Sequence, residues 1–316
     1  MIRMLETIVT ALLPIVVTLL LGYFAGSRHD FSQDQASVLN RMVMLYALPL
    51  LLFTGILSTP LSEISKSMDV FLWISIGMVG GFILVFLISR FVFKSDSKVA
   101  ALRAIAIAGP AVPFVGTPVL GVLFPIDADL AIAAGSILMN LIQVPLALVF
   151  LVGNEGVAGE KKSPLEIAFG SIKNAVLQPV VWAPVLAFVL LLIGLDMPKF
   201  LKGSFMLLGQ ATGGVALFAV GAVLFAQKVS VSREVIINVL SKNIVLPAIV
   251  LCAMFLLGLP SVDNGLVSVT LAIPTASIAV IFAVEYKTAE QEMASTLFWS
   301  TILSVITMGG FIWITG

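Results

Sequence analysis

The sequence predicts an all-α polytopic membrane protein with ten transmembrane helices, arranged as two inverted five-helix repeats. The composition, the alternation of apolar stretches with short polar loops, and two proline-interrupted segments support this prediction. Hydrophobic residues make up 60% of the 316 residues and charged residues only 11%, whereas soluble domains carry about a quarter charged residues. The composition therefore excludes an ordinary soluble domain, and the formal net charge of zero gives no reason to expect nucleic acid as a partner.

Ten apolar stretches are long enough to cross a bilayer, which needs roughly 20 mainly apolar residues per helix. In chain order, the predicted spans are 7–26, 38–58, 69–92, 103–124, 129–152, 172–195, 204–226, 234–258, 265–284 and 292–314. Prolines interrupt span 4 at Pro110, Pro113 and Pro118, and span 9 at Pro274. These two spans are therefore expected to be broken helices.

The short loops predict that both termini lie outside the membrane. With the N-terminus outside, 13 of the 17 Lys and Arg residues fall on the cytoplasmic side, where basic loop residues are enriched. The longest polar connection, 153–171, then becomes a cytoplasmic linker between a first repeat, 1–152, and a second, 172–316. Five spans per repeat is an odd number, so the second copy enters from the opposite side and the repeats are inverted.

A nearly constant offset relates the two halves. A shift of 164 or 165 residues brings Pro14 onto Pro179, Phe53 onto Phe218, and Pro110 onto Pro274. The broken segments 108-AGPAVPFVGTPVLGVLF-124 and 272-AIPTASIAVIFAVEY-286 thus occupy equivalent places. In hydrocarbon, broken helices persist only where protein or a wet cavity covers them. A matched pair of this kind indicates the binding site of a secondary transporter.

Several segments resemble the auxin efflux carrier (AEC) family, in its bacterial malonate or dicarboxylate transporter branch. They are 39-LNRMVMLYALPLLLF-53, 114-FVGTP-118, 207-LLGQATGGVALFAVGAVL-224, Lys242 to Pro247, and 274-PTASIAVIFAVEY-286. The chain departs from the family at Pro113, where an Asn often precedes the Gly-x-Pro of span 4.

The resemblance implies a fold similar to sodium/proton antiporters, in which spans 4 and 9 cross near the bilayer midplane. Spans 1, 2, 6 and 7 would form a scaffold, while spans 3–5 and 8–10 would move as a transport domain by an elevator mechanism. It also implies transport of a small organic anion, malonate being favoured, across a bacterial inner membrane, and a homodimer. Import of a dianion against an inside-negative potential would need compensating cations or an exchanged anion, which predicts proton or sodium symport.

The crossing is the leading candidate for the substrate site, because half-helix N-termini present free amides and partial positive charge to an anion. Thr117, Thr275 and Ser277 could add hydroxyl donors, or could instead bond the freed carbonyls and support the kinks. The candidate substrate-binding residues at the two breaks are Gly116, Thr117, Pro118, Pro274, Thr275, Ala276 and Ser277.

Other polar residues extend the candidate site. Asn140 and Gln143 share one face of span 5, where they either line the site or join neighbouring helices. Lys242, beside Asn243, would attract a carboxylate or couple to a proton; the alternative is a side chain that extends to the headgroups. Arg103 is a further candidate for anion attraction, or a topology anchor.

Cation exchange is disfavoured, because no Asp or Glu lies convincingly at mid-membrane. No catalytic residue, metal site or cofactor is expected, and a proton or sodium gradient would drive transport. Two alternatives stay open: an efflux carrier for another organic anion, and a membrane ligand sensor that does not transport. Enzyme activity has little support.

Overall fold

The computed structural model describes residues 2–58, 68–152, 170, 172–258 and 261–315. These residues are helical throughout, apart from loops and one isolated β-bridge. The helices are α1 Ile2–Ser27, α2 Gln33–Leu57, α3 Met68–Val92, α4 Ser97–Ala108, α5 Thr117–Leu123, α6 Ala128–Val152, α7 Pro179–Leu192, α8 Lys199–Gly209, α9 Ala211–Gln227, α10 Arg233–Leu256, α11 Ser261–Ala272, α12 Ile278–Glu285 and α13 Glu290–Thr315. The predicted linker 153–171 lies, except for Gly170, outside the described residues.

Six helices in the described part of the chain are long and apolar enough to cross a membrane. They are α2, α3, α6, α10, α13 and the α8–α9 segment Lys199–Ala226. The all-helical, multi-pass character predicted from the sequence is thus confirmed. Shorter apolar helices occupy Leu12–Ser27 and Pro179–Leu192, and the two proline-rich spans are each divided into two pieces.

Short π-helical turns interrupt several long helices, and most of them have a sequence cause. Four of these turns, Val43–Ala47, Val112–Gly116, Met139–Gln143 and Ser241–Val245, end two residues before a proline. Proline lacks an N–H and its ring clashes with the carbonyl four residues earlier, so the preceding turn widens. The turn Ile76–Gly80 is rich in glycine instead, and we have no physical account of Ile88–Val92.

The helices pack as two groups. In one group, α1 packs on α9, and α2 packs on α7, α8 and α9. In the other, α4 contacts α3 and α6, while α11 contacts α10 and α13. Glycine allows the closest approach in the first group, since a Cβ at Gly22 would clash with the Phe218 carbonyl and one at Gly221 with the Leu19 carbonyl. Gly22 and Gly26 have the GxxxG spacing that is typical of close helix packing, and the contacts of both with α9 agree with it.

Candidate functional site

The two proline breaks meet each other at their non-helical centres. Pro110 and Thr275 form an antiparallel bridge. The Ala111 N–H donates to the Pro274 carbonyl at 2.9 Å, and the Ala276 N–H donates to the Gly109 carbonyl at 3.0 Å. Each break therefore supplies hydrogen-bond partners to backbone groups of the other break, which a proline-interrupted helix cannot satisfy alone.

Side chains cap the carbonyl ends of the first half-helices. Thr275 Oγ1 donates to the Ala106 carbonyl at 2.9 Å, and Gln143 Nε2 donates to the Ala108 carbonyl at 2.9 Å and to the Met78 carbonyl at 2.7 Å. The equivalent end of α11 is capped by a lysine side chain, since Lys242 Nζ donates to the Leu271 carbonyl at 2.8 Å. The partial negative charge of both C-termini is thus covered inside the protein.

A hydrogen-bonded chain fixes the second break from behind. Asn243 accepts from Ser300 Oγ at 2.7 Å, and the same Ser300 oxygen accepts from the Thr275 N–H at 3.1 Å. Asn243 Nδ2 also donates to the Ser300 carbonyl at 2.8 Å. Asn243 and Thr275 are fully or almost fully buried, so this chain orders the crossing and leaves them little contact with solvent.

The front of the crossing is open to a cavity of about 410 Å³. Its walls come from α2, α6, α9 and α12, and its floor contains Pro110, Ala111, Ala276 and Ser277 from the two breaks. Most of the lining is apolar. The polar side chains that line it are Ser58, Asp129, Ser136, Asn140, Thr212 and Ser277.

Unused hydrogen-bond donors face this cavity. The N–H groups of Ser277 and Ile278, at the N-terminus of α12, donate to no backbone group of the described residues. The Asn140 amide, 5% exposed, has no hydrogen-bond partner in the described part of the chain, and neither has the Thr212 hydroxyl, which is 2% exposed. Buried polar groups without partners are costly, so this arrangement is suited to a ligand that accepts hydrogen bonds.

The structure separates the residues predicted for the site. Asn140, Ala276 and Ser277 line the cavity, whereas Gly116, Gln143, Thr275, Lys242, Asn243 and Arg103 are not among its lining residues. Pro274 accepts a hydrogen bond from the opposite break. The side chains of Thr117 and Pro118 lie outside the described part of the structure. Sequence reasoning missed Thr212 and Asp129.

Lys242 is completely buried, so its side chain does not extend to the headgroups. Arg103 forms a bidentate ion pair with Glu292, in which Nε lies 2.6 Å from Oε1 and Nη2 lies 3.0 Å from Oε2. The Asn238 amide donates to the same Glu292 at 2.8 Å. Arg103 thus joins α4 to α13 at one end of the molecule, away from the cavity lining.

Two broken helices that meet beside a cavity in a multi-pass helical protein are typical of a membrane transporter. The comparisons agree: the chain belongs to the AEC family, because the profile described as "Membrane transport protein" matches residues 7–312. The protein is therefore a transporter and not an enzyme.

Curated relatives match over nearly their whole length. The "Uncharacterized transporter YfdV" of Escherichia coli K12 is 32% identical over 99% of both chains. The "Putative malonate transporter" of Rhizobium meliloti is 24% identical over 96% of this chain and 94% of the relative. The "Uncharacterized transporter MJ1031" of Methanocaldococcus jannaschii is 24% identical over 95% and 96% of the two chains.

Proposed function

We propose that the protein is a secondary active transporter of small organic carboxylates, with malonate the leading substrate. The observation that carries the proposal is the row of unused donors around the cavity: the Ser277 and Ile278 amides, the Asn140 amide and the Thr212 hydroxyl. A carboxylate accepts hydrogen bonds only, and the N-terminus of a helix favours negative charge. The malonate assignment rests on the distant Rhizobium meliloti relative.

The helix ends at the crossing support an anion as the substrate. The C-terminal end of α11 is covered by the Lys242 amino group, while the N-terminal end of α12 is left open to the cavity. No carboxylate forms an ion pair with Lys242 in the described part of the chain. Lys242 therefore places a buried amino group behind the site, and Asn243 positions the break in front of it through Ser300.

The same proposal includes ten spans in two inverted repeats, with 153–171 in the cytoplasm and both termini outside. The π-helical turns Ile76–Gly80 and Ser241–Val245 are related by the same shift of 165 residues as the bridged pair Pro110 and Thr275, which supports a duplication. The contacts are also symmetric: α1 with α9 corresponds to α7 with α2, and α3 with α4 corresponds to α10 with α11.

We assign the two packing groups to the scaffold and the transport domain of an elevator mechanism. The cavity lies between them, since α2 and α9 supply one wall while α6, α12 and the breaks supply the other. Its lining reaches Ser58 and Asp129, at the ends of helices predicted to be outside, so the arrangement corresponds to an outward-open state. The exposed apolar faces of the scaffold helices leave room for a homodimer in the bacterial inner membrane.

Import of a dianion requires coupling to cations. Moving each negative charge inward costs about 2.3 kcal/mol per 100 mV, so about two or more cations must accompany it. Asp129 is the one ionisable side chain among the described residues that line the cavity, and its negative charge opposes an anion entering there. A proton or a sodium ion that accompanies the substrate would offset this repulsion.

Uptake into proteoliposomes tests the substrate. We expect accumulation of radiolabelled malonate that requires an inward proton or sodium gradient and is inhibited by other small dicarboxylates. Thr212→Val should reduce uptake, because it removes a free hydroxyl from the cavity. Thr270→Val is the matched control, because the Thr270 hydroxyl is buried and donates within its own helix to the Leu266 carbonyl.

Each part of the proposal fails separately. Malonate is wrong if a panel of carboxylates is transported and malonate is not. Anion transport itself is wrong if no carboxylate moves under proton or sodium gradients in either vesicle orientation. Transport only from inverted vesicles would support efflux instead of import.

A further inference from the structure

A second cavity of about 280 Å³ lies between the ends of α3, α4 and α10. We call it the α3–α10 groove. It shares no lining residue with the substrate cavity, and none of its lining residues comes from α1, α2 or α7 to α9. The groove is therefore separate from the boundary between the two packing groups and lies on a different side of the transport domain.

One wall of the groove is continuous with the outer apolar surface. Ile88 and Phe93 line it and are 38% and 49% exposed. Deeper in the molecule, α3 and α10 come together, since a Cβ at Gly81 would lie 2.9 Å from Leu246 Cδ1. The groove thus opens between the last turns of α3 and the first turns of α10, where the surface meets the acyl chains of the bilayer.

The opposite wall is polar and contains a cation that forms no ion pair within the described residues. The Arg103 charge is neutralised by Glu292, but Arg233 is exposed and forms no ion pair within the described residues. The Ser89 hydroxyl, on a residue only 4% exposed, has no hydrogen-bond partner in that part of the chain. The Glu234 carboxylate also lines the groove and opposes an anion there.

We propose that the α3–α10 groove binds the phosphate of an anionic phospholipid of the phosphatidylglycerol class. Arg233 pairs with the phosphate, Ser89 donates a hydrogen bond to it, and the acyl chains lie against Ile88 and Phe93. Phosphatidylcholine is discriminated against because its own choline cation sits beside the phosphate and reduces the attraction to Arg233. The loop charges predict that this end is cytoplasmic, where anionic lipids attract basic residues. The site is independent of the transported substrate.

Lipid titration of the delipidated full-length protein in detergent tests the site. We expect phosphatidylglycerol to raise the melting temperature more than phosphatidylcholine with the same acyl chains, and inorganic phosphate to have no effect. Arg233→Gln should weaken the apparent affinity for phosphatidylglycerol by about fivefold, as expected for one basic residue at the headgroup level. Glu234→Gln should strengthen it. Arg41→Gln is the matched control, because Arg41 is exposed and predicted to lie at the same membrane side but does not line the groove.

A second measurement locates the lipid. Brominated phosphatidylglycerol should quench the fluorescence of a Phe93→Trp variant more than that of the wild-type protein, and brominated phosphatidylcholine should not. Equal losses of affinity in Arg233→Gln and Arg41→Gln would indicate diffuse attraction to basic residues and overturn the proposal. Stabilisation by inorganic phosphate alone would assign the site to a free anion, which also overturns it.

Discussion

Lys242 donates a hydrogen bond from Nζ to the Leu271 carbonyl at 2.8 Å, across two helices of the second half. Leu271 lies in the last turn of α11, where carbonyls have no partner within the helix. The amino group is completely buried, so one side chain satisfies this carbonyl in a place that water does not reach.

Lys242→Met should lower the melting temperature, because the Leu271 carbonyl loses its donor in a buried place. An unsatisfied buried acceptor costs about 1–3 kcal/mol. Thermal unfolding in detergent measures the effect. A higher melting temperature would instead mean that removing the buried amino group stabilises the protein more than the loss of its hydrogen bond destabilises it.

Asn140 and Gln143 should respond differently to alanine, although they share a helix face. Gln143→Ala removes donors from two buried carbonyls and should cost about 2–6 kcal/mol of stability. Asn140→Ala removes an unpaired amide from the cavity, so stability should be retained while carboxylate uptake falls. Melting temperature and uptake, measured on both variants, separate the two roles. Equal stability losses would contradict this assignment.

Gly221→Ala should disrupt the packing of α1 on α9. The added Cβ would lie 2.8 Å from the Tyr23 backbone nitrogen, and backbone atoms cannot move aside as side chains can. Gly214→Ala is a control in the same helix, since nothing lies within 4 Å of its Cβ position. In size-exclusion chromatography, Gly221→Ala should lose the peak of folded protein, whereas Gly214→Ala should keep it.

Asp127→Asn should stabilise the protein at neutral pH. Burial, together with the charges of Asp127 and Asp69, raises the pKa of the Asp263 carboxyl. A raised pKa of an acid in the folded state means that stability falls as pH rises from the ordinary aspartate range through the folded pKa. Removing the Asp127 charge reduces this loss, while asparagine remains a good helix N-cap. The gain in melting temperature should be larger at pH 8 than at pH 5; a gain independent of pH would contradict the mechanism.

Local sequence signals predicted much of the fold. The prolines at 110 and 274 mark the breaks because a missing N–H has a fixed structural consequence, and the structure joins those breaks at Pro110 and Thr275. The spacing of Gly22 and Gly26 likewise indicated close packing.

Contacts between residues that are far apart in the chain could not be predicted from the sequence. Arg103 and Glu292 are separated by 189 residues, and nothing local to either indicates the other. A polar residue in an apolar helix, such as Gln143 or Thr275, indicates a buried hydrogen-bonding group and therefore a candidate site residue. The sequence does not indicate whether that group bonds to the protein or to a ligand. Nothing in the sequence marks Thr212, because a threonine hydroxyl in a helix can donate to a carbonyl of its own helix. Only the structure shows that the Thr212 hydroxyl has no hydrogen-bond partner among the described residues.

The bridge between Pro110 and Thr275 also limits which substitutions the two halves of the chain can accept. Each break donates one backbone hydrogen bond to the other, so neither half holds a complete set of partners. A substitution that shifts one break by a residue would orphan groups in both. Substitutions in the two crossing segments are therefore expected to be coupled, because a change in one segment alters the hydrogen-bond partners of the other.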